Sequence, residues 1–286
     1  MSKARAVLFI INPLRDDAKG AVRELKNLLE VAGFIFFTIA ESQLTDIAIV
    51  TPAALEKVEI AIVLGGDGTM LRAAEAVRGT NIPLLGINLG HVGFLAEVEK
   101  PSMSEIAESV IAKNYLCEKR MVLAYSVVRE EREVAQGWAL NEVTIERNGT
   151  TMVQLFLQID NRPISRWGCD GLICSTPTGS TAYAFSAGGP VVWPEVEALV
   201  LLPISAHALF ARPMVISPES TIVVDIESRD ALLSGDSLRK FALKMRDRVT
   251  MTRDPGTVQL AHLTETLFSD RLVAKFKLPV EGWRGE

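Results

Sequence analysis

The run Val58-Glu59-Ile60-Ala61-Ile62-Val63-Leu64-Gly65-Gly66-Asp67-Gly68-Thr69 decides how this chain is read. An apolar run with β-branched residues predicts a buried strand, and it breaks at glycine, glycine, aspartate, glycine, threonine. Beyond it Leu71, Ala74 and Val77 fall at helical spacing, so the stretch predicts strand, tight turn and helix start. Glycines at such a junction let the backbone turn sharply and leave N–H groups uncovered, which suits phosphate oxygens. A carboxylate among them is out of place in a simple anion cradle, because it repels phosphate. The residues alone leave three roles for Asp67. It contacts phosphate through a divalent cation, accepts a proton from an attacking hydroxyl, or caps the helix. The run has neither the lysine of a P-loop nor the GxGxxG dinucleotide spacing.

Upstream, residues 7–11 predict a buried strand leading into Asn12-Pro13. Val22, Leu25, Leu28, Leu29 and Ala32 then mark one face of a helix that Gly33 stops, and residues 34–39 predict the next strand. Downstream, residues 82–87 predict another strand ending in Asn88-Leu89-Gly90-His91-Val92-Gly93-Phe94-Leu95. Pro101 opens a helix carrying Ile106, Val110 and Ile111. Strands alternating with helices imply a mostly parallel sheet covered on both faces. Ligands of such sheets bind beyond the carboxyl ends of the strands, where Asn12, Asp67, Gly68 and Asn88 are expected.

Near residue 120 the period changes. Leu123, Tyr125 and Val127 alternate with residues of the opposite face, as do Val153, Leu155, Leu157 and Ile159, and later Ile222, Val224 and Ile226. Turn signals at Asn148-Gly149, Asn161-Arg162-Pro163 and Ser228-Arg229-Asp230 separate them. This predicts antiparallel structure in two packed sheets and a second domain starting near residue 121. Two polar clusters stand out in it. Asn141-Glu142 sits between apolar runs, where a carboxamide and a carboxylate are costly unless satisfied. Vicinal sugar hydroxyls would satisfy them, and so would a structural network. Residues 169–190, CDGLICSTPTGSTAYAFSAGGP, are rich in glycine and hydroxyls, with Ser180 or Thr181 available to cap a short helix and Tyr183 offering a flat face to a base.

Composition narrows the function classes. A chain of 286 residues can bury a full core and suggests two domains. Thirty Lys+Arg against 35 Asp+Glu give −5 with no basic block, so nucleic acid is not an expected partner. No apolar stretch reaches membrane-spanning length, and the N-terminal stretch lacks a signal-peptide pattern, so no membrane association is expected. Cys117, Cys169 and Cys174 form an odd set without zinc spacing, which makes the reducing cytoplasm the expected setting and Cys169 and Cys174 small buried side chains. Three histidines leave little for a histidine-rich metal site.

The GGDGT run at 65–69 resembles that of a group of kinases including NAD kinases, diacylglycerol and sphingosine kinases and, more distantly, phosphofructokinases. Taken with NLGHVGFLAE at 88–97, NE at 141–142 and DGLICSTPTGSTAYAFSAGGP at 170–190, the chain is identified as resembling an NAD kinase. PISAHALFARPMVISP at 203–218 and DRLVAKFKLPVEGW at 270–283 extend the likeness over most of the chain, most closely to actinobacterial enzymes. The resemblance implies a Rossmann-like α/β domain over 1–120, a β-sandwich NAD-binding domain over 121–264, and a segment, 265–286, returning to the first domain. It implies a homodimer or homotetramer with sites near subunit contacts.

The implied activity is phosphorylation of the 2′-hydroxyl on the adenosine ribose of NAD to give NADP. ATP is the implied donor, relatives of this kind also accept inorganic polyphosphate, and Mg2+ or another divalent cation is implied as cofactor. Carried across, Asp67 matches the general base and Gly68 its neighbour, and Phe94 matches a residue lining the adenine pocket. Asn141 and Glu142 match the ribose pair, and Asp170 an aspartate on the nicotinamide side. Thr178, Thr181, Ala182, Tyr183 and Ser186 match residues around the dinucleotide. His91 stands where relatives often carry arginine, and His207 matches a histidine for which a structural role is equally open. One departure is Ser234-Gly235-Asp236-Ser237-Leu238-Arg239, which lacks the glycine that commonly follows the aspartate. Two alternatives are a lipid kinase of the GGDGT group, which needs an apolar acyl cleft, and a non-catalytic NAD(P)-binding regulator.

Overall fold

The computed structural model describes residues 5–90, 93–96, 101–228, 231–265 and 267–279, so His91 and the end of the 270–283 motif lie outside the described residues. The chain divides into two compact units, residues 1–119 with 258–286, and residues 120–257.

The first unit contains β1 (Ala6–Ile11), α1 (Asp16–Val31), β2 (Ile35–Thr38), β3 (Ala48–Ile49), α2 (Pro52–Leu55), β4 (Val58–Leu64), α3 (Asp67–Ala76), β5 (Leu84–Ile87) and α4 (Met103–Ala112). The strands pair in parallel in the order β3-β2-β1-β4-β5. Every residue of β1 is buried, as expected for strands covered on both faces. On α1 the buried residues are Ala18, Val22, Leu25 and Leu29, and Gly33 follows at φ +80. β3 and α2 are additions to the expected order, since two- and four-residue elements carry no periodicity to detect. The helix α4 starts at Met103 rather than at Pro101. Ser102 forms a reciprocal capping box with Glu105, and that box sets the first helical residue.

The second unit contains β6 (Leu116–Arg129), which enters from the first, then β7 (Arg132–Ala139), β8 (Glu142–Arg147), β9 (Val153–Ile159), β10 (Arg162–Cys169) and β11 (Gly171–Ser175). A 3-10 turn (Thr178–Thr181), α5 (Tyr183–Ser186), β12 (Leu199–Ile204), β13 (Met214–Ile216), β14 (Ile222–Ile226), β15 (Ala231–Gly235), β16 (Arg239–Leu243) and β17 (Arg248–His262) follow. One sheet runs β13-β12-β11-β8-β15-β16; β10, β9, β14 and β17 form the other, where β6 pairs with β17 and β7. Leu123, Leu155, Leu157, Val224, Val143, Leu172, Leu201 and Leu233 share one core, so the period-2 pattern faces inward from both sheets. Burying a side chain of this size stabilises the fold by about 1.5–3 kcal/mol. Cys169 and Cys174 are free and buried, and burial pushes both thiols up to about 12. Arg162 and Pro163 belong to β10; the turn before them is Asp160-Asn161, both at positive φ.

The chain returns to the first unit at Val258, within β17, rather than at residue 265. The reason is pairing: Leu260 and Ala261 lie in parallel register with Leu84 and Leu85 of β5. The last helix, α6 (Phe268–Phe276), belongs to the same unit.

Candidate active site

In the first unit, Gly66 is the N-cap of α3 and Asp67 its first helical residue. The Asp67 side chain makes no cap. Its Oδ2 accepts the Phe94 N–H at 3.2 Å and its Oδ1 the Leu95 N–H at 3.1 Å. The capping role left open by the residues is thus replaced by a contact to the segment after β5. A Cβ at Gly93 would run into the Asp67 carboxylate, so this approach requires glycine. Gly66 and Gly68 are exposed and Asp67 is half-buried at the end of β4. Its carboxylate is therefore held by protein yet open to a ligand. Phe94 is 7% exposed, its ring 6.0 Å from Phe268 and 5.7 Å from Phe276 of α6. At the neighbouring strand ends, Asn12 Oδ1 accepts from Leu14 N–H at 3.1 Å and Asn88 Oδ1 from Gly90 N–H at 2.9 Å. Two surface clefts of this unit, about 410 and 350 Å³, are lined by none of these residues.

In the second unit, Asn141 precedes β8 and Glu142 opens it, and both are buried. Their backbone is held by Asp236. Oδ2 of Asp236 accepts from Leu140 N–H at 2.8 Å, and Oδ1 accepts from Asn141 N–H at 2.7 Å and Glu142 N–H at 3.3 Å. Asp236 and Ser237 occupy the left-handed region, φ 51 and 59, in a turn closed by Leu238 N–H to Gly235 O at 3.0 Å. The chain therefore keeps the tight turn without glycine after Asp236. Arg239 completes it, donating to Asp236 Oδ2 at 2.8 Å and to Trp138 O at 2.9 Å. Its guanidinium lies 4.3 Å from the Trp138 ring centroid. In the sequence Asp236 stands out only by the missing glycine after it. Nothing local marks it as the support of residues 95 positions away.

Burial, and secondarily the charge of Asp236, pushes Glu142 up to about 8, against a lowering influence of the Tyr183 N–H. Glu142 Oε2 has no hydrogen-bond partner among the described residues. A buried carboxyl oxygen without a partner is costly, and a ligand hydroxyl removes the cost.

The glycine–serine–threonine stretch is seated on the same place. Thr176 Oγ1 donates to Leu140 O at 2.6 Å and accepts from Gly179 N–H at 3.1 Å. A Cβ at Gly179 would collide with the Asn141 carbonyl. Ser180 does not cap the following helix; its hydroxyl donates to Pro177 O at 2.6 Å and accepts from Val192 N–H at 2.9 Å, pinning the loop. Thr181 makes no cap either, and its hydroxyl returns to Thr178 O at 3.2 Å. Thr178 is buried, Thr181 and Ala182 half-buried, and Tyr183 and Ser186 exposed. The Tyr183 hydroxyl reaches Glu146 at 3.3 Å. Asp170 lies toward the opposite end of β11 from Ser175, ion-paired with Arg147 at 2.8 Å. His207 is exposed, and its N–H bonds Gly168 O at 2.9 Å.

A divalent cation is implied for phosphoryl transfer. Among the described residues no group of three or more His, Cys, Asp or Glu could hold one. A magnesium ion in a phosphoryl-transfer site is bound largely through substrate phosphates and one or two carboxylates. Asp67 fits that part, since each of its oxygens accepts one N–H and keeps a further acceptor site.

The strand–GGDGT–helix turn of the first unit and the buried carboxyl beside a hydroxyl-rich loop in the second are the kinds of group that a phosphotransferase for a nucleotide uses. Family models bear on which one. The ATP-NAD kinase N-terminal domain matches residues 40–115 and the ATP-NAD kinase C-terminal domain residues 140–263. The NAD kinase of Thermobifida fusca is 44% identical, over 98% of this chain and 92% of that protein. That of Mycobacterium tuberculosis is 50% identical over 82% of this chain and 77% of its own. Yeast NADH kinase complexed with NADH shares the fold at TM-score 0.86 and 22% identity, covering 100% of this chain and 91% of that one. An Archaeoglobus fulgidus NAD kinase in complex with ATP matches at TM-score 0.75 and 25% identity, over 96% and 100%. The chain belongs to the NAD kinase family, whose reaction is ATP-dependent phosphorylation of NAD to NADP. These matches favour neither the lipid kinase nor the non-catalytic regulator. Among the described residues no helix is long and apolar enough to cross a membrane.

Proposed function

We propose that the chain phosphorylates the 2′-hydroxyl of the adenosine ribose of NAD, with Asp67 as general base. The observation that carries this reading is the Asp67 carboxylate, aimed by the Phe94 and Leu95 N–H groups and half-exposed at the strand end. A secondary hydroxyl is a weak nucleophile, so alignment and proton removal are the tasks left to the protein. Asp67 accepts the hydroxyl proton as the oxygen attacks the terminal phosphorus, whose bond to the bridging oxygen breaks so that the donor leaves one phosphate shorter with that oxygen's electron pair. The uncovered N–H groups of Gly66 and Gly68 face donor phosphate, and Mg2+, when bound, supplies neutralisation of phosphate charge.

In the second unit, Glu142 and Asn141 take the ribose, with Glu142 Oε2 accepting from sugar hydroxyls. Thr178, Thr181, Ala182, Tyr183 and Ser186 surround the dinucleotide, and Asp170 serves its nicotinamide side. Phe94 contributes to the adenine pocket and Gly68 to nucleotide contact. Inorganic polyphosphate is a second donor, and the working form is a homodimer or homotetramer in the cytoplasm.

The test is purified protein with NAD and either MgATP or magnesium polyphosphate, followed by chromatographic detection of NADP. NADP from both donors is expected; none from polyphosphate restricts the donor to ATP, and none from either sinks the reading.

A further inference from the structure

Arg271 of α6 is a buried arginine, 3% exposed, and its donors go to the segment that holds Asp67. One terminal nitrogen donates to Ala96 O at 2.7 Å and to Phe94 O at 3.4 Å. The other lies 3.0 Å from His262 Nδ1. A guanidinium only donates, so Nδ1 must accept, and the imidazole proton sits on Nε2, facing Glu118 Oε2 at 3.4 Å. The carbonyls of residues 94 and 96 thus point to Arg271, while the N–H groups of residues 94 and 95 point to Asp67. The Phe94 ring against Phe268 and Phe276 adds an apolar hold on the same segment.

We infer that Arg271 is a positioning residue for Asp67, acting through the main chain of residues 94–96, with His262 fixing the guanidinium. This rests on the reading of Asp67 as the base. A small displacement of a catalytic group costs about 10²-fold in rate, which is far more than a remote surface contact would.

The experiment is a double-mutant cycle of Arg271→Met with Asp67→Asn, reading kcat, KM for NAD and amide hydrogen exchange at Phe94 and Leu95. Arg271→Met alone should lower kcat about 10²-fold, leave KM for NAD nearly unchanged and accelerate exchange at those two amides. In the Asp67→Asn background it should lower kcat no further, because the group it positions has gone. Arg271→Lys, which keeps a donor near Ala96 O, should recover part of the loss, and it replaces Met in the cycle if Met does not fold. Equal loss of kcat in both backgrounds, or unchanged exchange at Phe94 and Leu95, overturns the inference. So does failure of both variants to fold, which would make Arg271 a folding residue only. Wild-type turnover in Asp67→Asn alone would instead remove the base assignment, a separate result.

Discussion

Asp67 and Glu142 are carboxyl groups in different surroundings, the first half-buried against two N–H groups and the second buried with one oxygen unpartnered among the described residues. Asp67→Asn keeps the size and one acceptor, but it cannot take the 2′-hydroxyl proton. Its kcat should fall by roughly 10²–10⁴-fold with calorimetric NAD affinity little changed, and near-wild-type turnover in folded protein would exclude the base. Recovery of the rate by extra Mg2+ would make Asp67 a metal contact instead. Gly93→Ala probes the same carboxylate from outside, since the new methyl would meet Asp67 Oδ1. That side-chain end moves easily, so the variant should keep its Tm within a few degrees while losing turnover.

Glu142 yields a pH prediction. Its folded value, about 8, lies above the ordinary 4.5, so between these the folded chain holds a proton that the unfolded chain has lost. This stabilisation is fully present below about 4.5 and is lost as pH rises through about 8. Glu142→Gln should flatten that part of the Tm-versus-pH profile. Above about pH 8, where the carboxylate is ionised, it should also lower kcat/KM for NAD by the worth of a charge-assisted bond, about 1.5–3 kcal/mol. The carboxylate is the form that accepts from both hydroxyls, so wild-type NAD affinity should rise toward pH 8; a flat wild-type binding profile would argue against this ribose contact.

Among the elements, the hairpin of β15 and β16 carries Asp236, which holds the backbone at the start of β8. Its turn holds two non-glycine residues, Asp236 and Ser237, in the left-handed region. Ser237→Gly should relieve about 1 kcal/mol, partly offset by the greater freedom of the unfolded chain. A modest rise in Tm with unchanged NAD kinetics is expected. Asp236→Asn acts oppositely. It removes the charge that faces three N–H groups and Arg239, so the start of β8 should loosen and kcat/KM for NAD should drop at least about tenfold. Removing that charge should also bring Glu142 ionisation to lower pH, visible as a shift in the Tm profile.

On the scale of the whole chain, the two units differ in how they are assembled. Residues 120–257 form one continuous segment with its own core, which includes the fully buried Trp167, while Trp138, 8% exposed, lies under the Arg239 guanidinium. That segment alone should unfold cooperatively, with near-ultraviolet circular dichroism reporting both indoles. Residues 1–119 alone should not fold, because β5 would lose its neighbour from residues 258–262 and Phe94 its packing on α6. A cooperative melt of 1–119 would show that the returning segment is dispensable to that sheet.

The strand, glycine turn and helix at 58–76, the period-2 strands and the two polar clusters were legible because each is local. Apolar periodicity and turn chemistry act within a few residues, and they declare themselves in a short window. The short elements β3 and α2 and the return at Val258 were not, since they depend on what the neighbouring strand offers. The supports of the candidate site were further out of reach. Asp236 holds Leu140 across 96 positions, Phe94 holds Asp67 across 27, and Arg271 holds Ala96 across 175. Identical aspartates and arginines elsewhere in the chain make surface ion pairs, such as Asp17 with Arg15. Residue type and spacing by themselves marked the GGDGT turn and the polar pair Asn141-Glu142 as out of place in a purely structural chain. Only the tertiary structure decided which charged side chains hold those groups in place, because a buried hydrogen bond is chosen by strand register and chain closure, not by its neighbours in sequence.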